Sequence, residues 1–356
     1  MIAGEALSDN SLIPHSRPLL GDDVHIAAAA VTASGMIGHG PAVRQFENAF
    51  AAFHSLRNAV AVNSGSAALH LALLALNVRD QDEIIVPAYV CSAVLNSILY
   101  LRASPVLVDS NPDTFNVDVR DVRHKLTPRT KAIILPHMFG EPADVEEILK
   151  PGIPVIEDCA QSLGAEINGR KVGSFGTVSV FSFHATKMIT TGTGGMVATN
   201  DPQIAQTVAD LRDYDARDDF KLRYNYQMTD LAAAIGLRQL ERLPEFIDRR
   251  RKLAALYTDN LAAYRYMLPS QSSGGVYYRY VVRALEIEAL MTSLAATGIQ
   301  AKRPVYKPLH HYIQSATKLE GCERIYNTSV SIPLYPSLSD ADADRVIHSC
   351  AWQYHS

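Results

Sequence analysis

The sequence predicts an α/β protein: a mostly parallel seven-stranded sheet between helices, followed by a smaller C-terminal α+β domain. Three observations lead there. Between residues 58 and 200, short apolar runs alternate with helical patterns. Those runs are continuously apolar, as strands buried on both faces are. After residue 228 the alternation gives way to one long helical stretch and then to isolated strand and helix patterns. The expected domains are 1–245, which carries the sheet and an N-terminal segment, and 246–356.

In chain order, "NAVAVNS" (58–64) reads as the first strand. "SAALHLALLAL" (66–76) follows as a helix built from Ala and Leu, both strong helix formers. "EIIVPAYV" (83–90), "SPVLVDS" (104–110), "KAIILPHMFG" (131–140), "IPVIEDCA" (153–160), "TVSVFSF" (177–183) and "GGMVATN" (194–200) complete the strands. The stretch 229–264 is helical, with Thr229 or Asp230 as N-cap, and Pro244 is expected to kink or divide it. "VYYRYVVRAL" (276–285) reads as a strand, 286–298 as a helix ended by Gly298, and 340–350 as a last helix.

Composition narrows the function. The 356 residues carry a net charge of −4, with a pI near 6.3, so no basic excess points to nucleic acid or to a membrane surface. The one dense basic run, "DRRRK" (248–252), reads as a solvated helix face. No apolar run is long enough to span a bilayer. The first residues lack a basic region followed by an apolar core, so no leader is expected there. Cys91, Cys159, Cys322 and Cys350 have no C-x-x-C spacing, which argues against a zinc site or disulfide framework and for a reducing, cytoplasmic setting.

The chemistry collects at strand ends, where α/β sheets bind their ligands. "NSGSAAL" (63–69) places Ser64, Gly65 and Ser66 where a strand turns into a helix, a place whose free N–H groups suit a phosphate. Taken alone, these residues are better explained by an ordinary helix cap. "VIEDCAQ" (155–161) ends a strand with two carboxylates; Asp158 is placed either to cap a helix or to hold a proton on a heteroaromatic nitrogen, with Gln161 three residues on. "SVFSFHATK" (179–187) sets Lys187 just past a buried strand. A lysine there commonly snorkels into water, but an amine in an apolar pocket sheds its charge more easily and becomes a nucleophile toward aldehydes. Anion cradle, strand-end acid and lysine, in that order on one sheet, match the needs of pyridoxal phosphate (PLP).

These segments resemble the DegT/DnrJ/EryC1/StrS family of PLP-dependent sugar aminotransferases of fold type I. The resemblance runs from "SRPLLGDDV" (16–24) and "GPAVRQFENAFA" (40–51) through "NSGSAALHLAL", "VIEDCAQSLGAEINGRKVGSFG", "SVFSFHATK", "GTGGMVATND" and "YNYQMTDLAAAIGLRQL" to "RPVYKPLH" and "IPLYPSLSDADADRV". It implies that Lys187 holds PLP and shuttles protons. Asp158 would pair with the pyridine nitrogen, and Gln161 would lie near the ring's 3-oxygen. Ser64, Gly65, Ser66, Ser182 and His184 would complete the cofactor site. Asn225 would reach the phosphate of a neighbouring subunit, making the active unit a homodimer. Tyr306, His310 and Gln227 fall in segments that meet the sugar.

Several positions depart from the family pattern. Cys91 stands where an aromatic ring commonly stacks on the cofactor, and Tyr89 replaces it only if its strand continues that far. Ala185, Met188, Thr193, Gln227 and Tyr278 stand where Pro, Asn, Glu, a basic residue and His are common. The implied reaction is amino transfer from glutamate or glutamine to a keto sugar, a nucleotide-linked ketodeoxyhexose above all. A sugar dehydratase, in which histidine replaces the lysine, and a non-catalytic PLP-binding paralogue are the alternatives; retained Lys187 speaks against the first, and Lys187, Asp158 and Gln161 speak against the second, which Cys91 and Gln227 keep open.

Overall fold

The computed structural model describes residues 12–270, 272–313 and 318–352, the last by its backbone. The outer ends of the two expected domains, and the first residues on which the leader expectation rests, lie outside these residues.

Two helices, α1 (Asp22–Ser34) and α2 (Pro41–His54), precede the repeating part. It runs β1 (Asn58–Val62), α3 (Gly65–Ala75), β2 (Glu83–Pro87), α4 (Ser92–Leu99), β3 (Ser104–Val108), α5 (Val119–Lys125), β4 (Thr130–Pro136), α6 (Val145–Leu149) and β5 (Val155–Asp158). A small hairpin, β6 (Glu166–Ile167) and β7 (Arg170–Lys171), leads to β8 (Val178–Ser182), β9 (Gly195–Thr199) and α7 (Pro202–Leu211). The remainder is α8 (Asp230–Glu241), α9 (Leu243–Leu261), β10 (Tyr280–Arg283), α10 (Ile287–Ala296), α11 (Glu320–Thr328), β11 (Ser329–Ile332) and α12 (Asp340–Trp352).

The seven expected strands form one sheet in the order β1-β9-β8-β5-β4-β2-β3. All run parallel except β9, which is antiparallel to both β1 and β8. These strands are mostly apolar in sequence because helices cover both faces, as the buried residues of β2, β4 and β9 show. Register then aligns the site. Gly195 lies opposite Val62 on one side and Ser182 on the other, and Asp158 lies opposite Val180 and Pro136. The carboxyl ends of β1, β8 and β5 therefore meet along one edge.

Strand ends depart from expectation where the backbone turns. β2 stops at Pro87, and Phe139, with φ of 57°, ends the run after β4. Tyr277, with φ of 48°, keeps "VYY" out of β10. Such values lie outside the β region and break strand pairing. Thr229 is the N-cap of α8, accepting from the Ala232 N–H at 3.2 Å, and Pro244 sits in the first turn of α9, so the long helical stretch is divided. The start of α9 packs Leu243, Phe246 and Ile247 under the sheet; its second half packs Leu253, Tyr257 and Leu261 against β10, β11, α10 and α12.

Candidate active site

A cavity of about 260 Å3 opens at the shared strand edge, lined by residues of α3, β5 and β8 and of the loops that follow them. It gathers Ser64, Gly65, Ser66, Cys91, Asp158, Ser182, His184 and Lys187 from four separate stretches of chain.

The floor is the start of α3. Ser64 caps the helix, its Oγ accepting from the Ala67 N–H at 3.1 Å, which leaves the Gly65 and Ser66 N–H groups with no intrahelical acceptor. Glycine is required at 65 because a Cβ there would sit 2.8 Å from the Ser182 Cβ. Glycine is required at 195 because its Cβ would meet the Ser64 carbonyl oxygen at 2.4 Å. Gly195 thus lets the chain pass close to its own backbone, while Thr193 and Gly194 form cavity wall.

Asp158 supplies the acid. It is buried, and its Oδ1 accepts a hydrogen bond from the Ala160 N–H at 3.0 Å. No helix follows it, so the helix-cap role falls away. Burial pushes its carboxyl above the ordinary value, against the pull of the Ala160 N–H and the Lys187 charge. A buried acid in this condition is suited to a cationic partner that the chain itself does not provide.

Lys187 stands on a tight turn after β8, where its N–H bonds the His184 carbonyl at 2.8 Å. Phe183 and Thr191 close the loop around it through main-chain bonds to Gly194 and Phe183. Its Nζ lies 5.0 Å from the centre of the Tyr278 ring. The Tyr278 hydroxyl meets Thr186 Oγ1 at 3.5 Å and Arg279 Nη2 at 3.4 Å. Burial alone would raise that phenol; the Lys187 and Arg279 charges outweigh it and bring it down to about 7. Tyr278, noted in the sequence only as standing where His is common, and Arg279 were absent from the expected site residues, and no local motif ties them to Lys187.

Other expected residues lie elsewhere. Tyr89 is buried against Phe139, ring centres 6.4 Å apart, and does not line the cavity. The physical reason is that β2 ends two residues earlier, so strand alternation no longer relates 89 to 91. Cys91 does line the cavity, as N-cap of α4. Gln161 sits outside the lining, its Oε1 accepting from the Phe139 N–H at 3.0 Å. Asn225 is exposed, and its carbonyl accepts from Asn63 Nδ2. Gln227 faces a separate groove of about 240 Å3, divided from the cavity by Thr193, which lines both. Tyr306 is 83% exposed. His310 turns to α11, where its Nε2 and that of His311 meet Glu323 Oε1 at 2.7 and 2.6 Å.

The cavity residues fit a molecule with an anionic end, a basic ring nitrogen and an aldehyde: a glycine-lined helix start, an acid short of partners and a primary amine. Residues 20–351 match the model of the DegT/DnrJ/EryC1/StrS aminotransferase family. The chain belongs to that family. As a member it is a PLP-dependent aminotransferase. It is 36% identical to the GDP-perosamine synthase of Escherichia coli O157:H7, over 95% of this chain and 96% of that one. To the GDP-perosamine synthase of Caulobacter vibrioides it is 39% identical, over 86% and 89%. Among solved structures, the aminotransferase TlmJ from Streptoalloteichus hindustanus superposes with a TM-score of 0.92 at 32% identity, covering 97% of this chain and 99% of that one. The fold is thus that of DegT/DnrJ/EryC1/StrS aminotransferases. No helix among the described residues is long and apolar enough to cross a membrane.

Proposed function

We propose that this family member binds PLP in the 260 Å3 cavity and moves an amino group from glutamate or glutamine to a nucleotide-linked ketodeoxyhexose, with a GDP sugar as the first candidate. The observation that carries the reading is the convergence of Lys187, Asp158 and the α3 start on one cavity at the carboxyl edge of the sheet. The GDP nucleotide comes from the names of the relatives above.

Each residue has a role that its setting supports. The Gly65 and Ser66 N–H groups and the Ser182 hydroxyl bind the phosphate. Asp158 Oδ holds a proton on the ring nitrogen, a pairing that offsets the cost of burying its carboxylate. Lys187 Nζ holds the cofactor and carries the proton between the donor carbon and the cofactor. When bound, PLP supplies the electron sink for the carbon that loses that proton. His184 and Cys91 border the ring. Tyr306 and His310, beyond the cavity, belong to the sugar side, and Gln227 approaches it across Thr193.

Asn225 completes the site of a second copy, so the working unit is a homodimer; its exposure on this chain agrees with that role. The four cysteines are free, Cys91 at the surface among them, which suits a reducing cytoplasm. The retained Lys187 favours transamination over dehydration.

A panel of nucleotide-linked keto sugars with glutamate or glutamine, read by mass spectrometry for the amino product, tests the assignment. The expected result is amination of a GDP-linked keto sugar, with glutamate bleaching the visible absorption of the loaded enzyme. Bleaching without any aminated sugar would overturn the acceptor class and leave the aminotransferase intact.

A further inference from the structure

Tyr278 is a buried side chain beside Lys187, and none of the roles above uses it. Its ring, 5% exposed, packs with Val276, Met188 and Phe246 in the core beneath the sheet edge. Its carbonyl is pinned by the buried Arg250, whose Nη1 donates to it at 3.1 Å. Its hydroxyl touches Thr186, the residue next to Lys187, and Arg279. The ring therefore cannot drift relative to the lysine's own turn. A cation over an aromatic face is held by the ring quadrupole, and more strongly once water is excluded.

We propose that Tyr278 is the positioning residue for Lys187: its ring face docks the Lys187 ammonium whenever that amine is free, keeping it beside the cavity and out of solvent. The proposal rests on Lys187 being the cofactor-bearing residue. Amino transfer frees the lysine amine in every cycle, so a dock would be used at each turnover. Three cations face Tyr278: Lys187 from the turn after β8, Arg279 from the adjacent position, and Arg250 from α9 through the main chain. Under the first two the phenol ionises near 7, so around neutral pH the docked ammonium also gains a counter-charge.

The test begins with the cofactor-free, full-length protein and a phenolate difference absorbance titration. One tyrosine should ionise near pH 7, well before the others. Tyr278→Phe should delete that step, and Lys187→Ala should move it upward. The second readout is the rate at which added PLP becomes covalently attached. Tyr278→Leu should slow capture about tenfold, because an undocked amine leaves the cavity edge and meets the aldehyde in the right geometry less often. Tyr278→Phe, which keeps the ring, should stay within about twofold of wild type and lose the inflection near 7. Tyr278→His, with an aromatic face and a titrating group, should restore most of the rate. An identical tyrosine titration in wild type and Tyr278→Phe, or wild-type capture by Tyr278→Leu, would overturn the dock while Lys187 still took up PLP. Covalent attachment persisting in Lys187→Ala would overturn the dock together with the assignment beneath it.

Discussion

Glu157 and Asp158 are neighbours at the end of β5, and their side chains leave opposite faces of the strand. Both are buried. On the back face Glu157 is saturated: it accepts from the N–H groups of Gly173, Phe175 and Gly176 at 2.7, 2.7 and 2.6 Å, and meets His137 Nε2 at 3.1 Å. His137 Nδ1 accepts from the Ala143 N–H, so Nε2 carries the proton toward Glu157. Burial would raise Glu157, but these hydrogen bonds outweigh it and hold the carboxyl below its ordinary value. On the front face Asp158 has the Ala160 N–H, and its carboxyl is pushed up. One carboxylate is finished by the fold and the other is left open to a ligand. Hydrogen-bond saturation, rather than burial or residue type, separates scaffold from site.

The contrast is broken most severely by removing the group that shares the front face. Lys187→Ala should abolish transamination and the visible absorption of the loaded enzyme, because no second amine lines the cavity. Turnover at the wild-type rate would place the chemistry elsewhere.

Asp158→Asn comes next. The amide cannot keep the ring nitrogen protonated, and loss of a charged hydrogen bond of this kind should slow turnover by roughly a hundredfold while cofactor is retained. Stability should move the other way. A carboxyl raised in the fold makes the native state hold its proton longer than the unfolded chain does. Its contribution is therefore full below the ordinary value of 3.8 and lost as pH rises through the folded one. At neutral pH the cofactor-free Asp158→Asn protein should thus be at least as stable as wild type in urea. A clear loss of stability would show that Asp158 is a scaffold residue like its neighbour.

Glu157→Gln sharpens the opposite half. It removes the charge that four donors were arranged around and should cost about 3 kcal/mol, read as a lower urea midpoint. Here the folded value is depressed, so the stabilisation is present above the ordinary 4.5 and is lost as pH falls through the folded value. The midpoint difference between wild type and variant should shrink in acid. A difference independent of pH would detach the effect from ionisation.

This division also explains what could be read from the sequence. The seven strands, the division at Pro244 and the convergence of Ser64, Asp158, Ser182 and Lys187 were legible, because parallel strands put their carboxyl ends on one edge whatever the loops do. Tyr89 was not, since its side depended on whether β2 outlasted Pro87. The Glu157 network was hidden because its donors are main-chain N–H groups of a loop, which carry no side-chain signature. The Tyr278 contact joins residues 91 positions apart through tertiary packing alone. The substrate side was the least legible: Tyr306 and Asn225 are exposed and do not line the cavity of their own chain, so the roles proposed for them depend on a sugar and on a second copy.

The mildest perturbation asks whether the open face is completed by that second copy. Asn225 lies in the segment ahead of α8, exposed, with its main chain tied to Asn63 at the end of β1. That tie places it near the α3 start yet outside the cavity lining, where it can serve a neighbour's phosphate while remaining fixed on its own sheet. Asn225→Ala should loosen PLP by roughly tenfold, the worth of one hydrogen bond to a charged group. In a two-fold dimer with shared sites, each parent variant, Lys187→Ala or Asn225→Ala, carries its defect in both sites. The mixed dimer gathers both defects into one site and leaves the other whole. Equal mixing makes half of the dimers mixed, so about a quarter of all sites should bind PLP with wild-type affinity and turn over normally. Equilibrium dialysis and turnover at limiting PLP, after subunit exchange has been verified by mass, read that fraction. If exchange is complete and no tight-binding fraction appears, Asn225 acts within its own chain, and the front face of the sheet is finished without a partner.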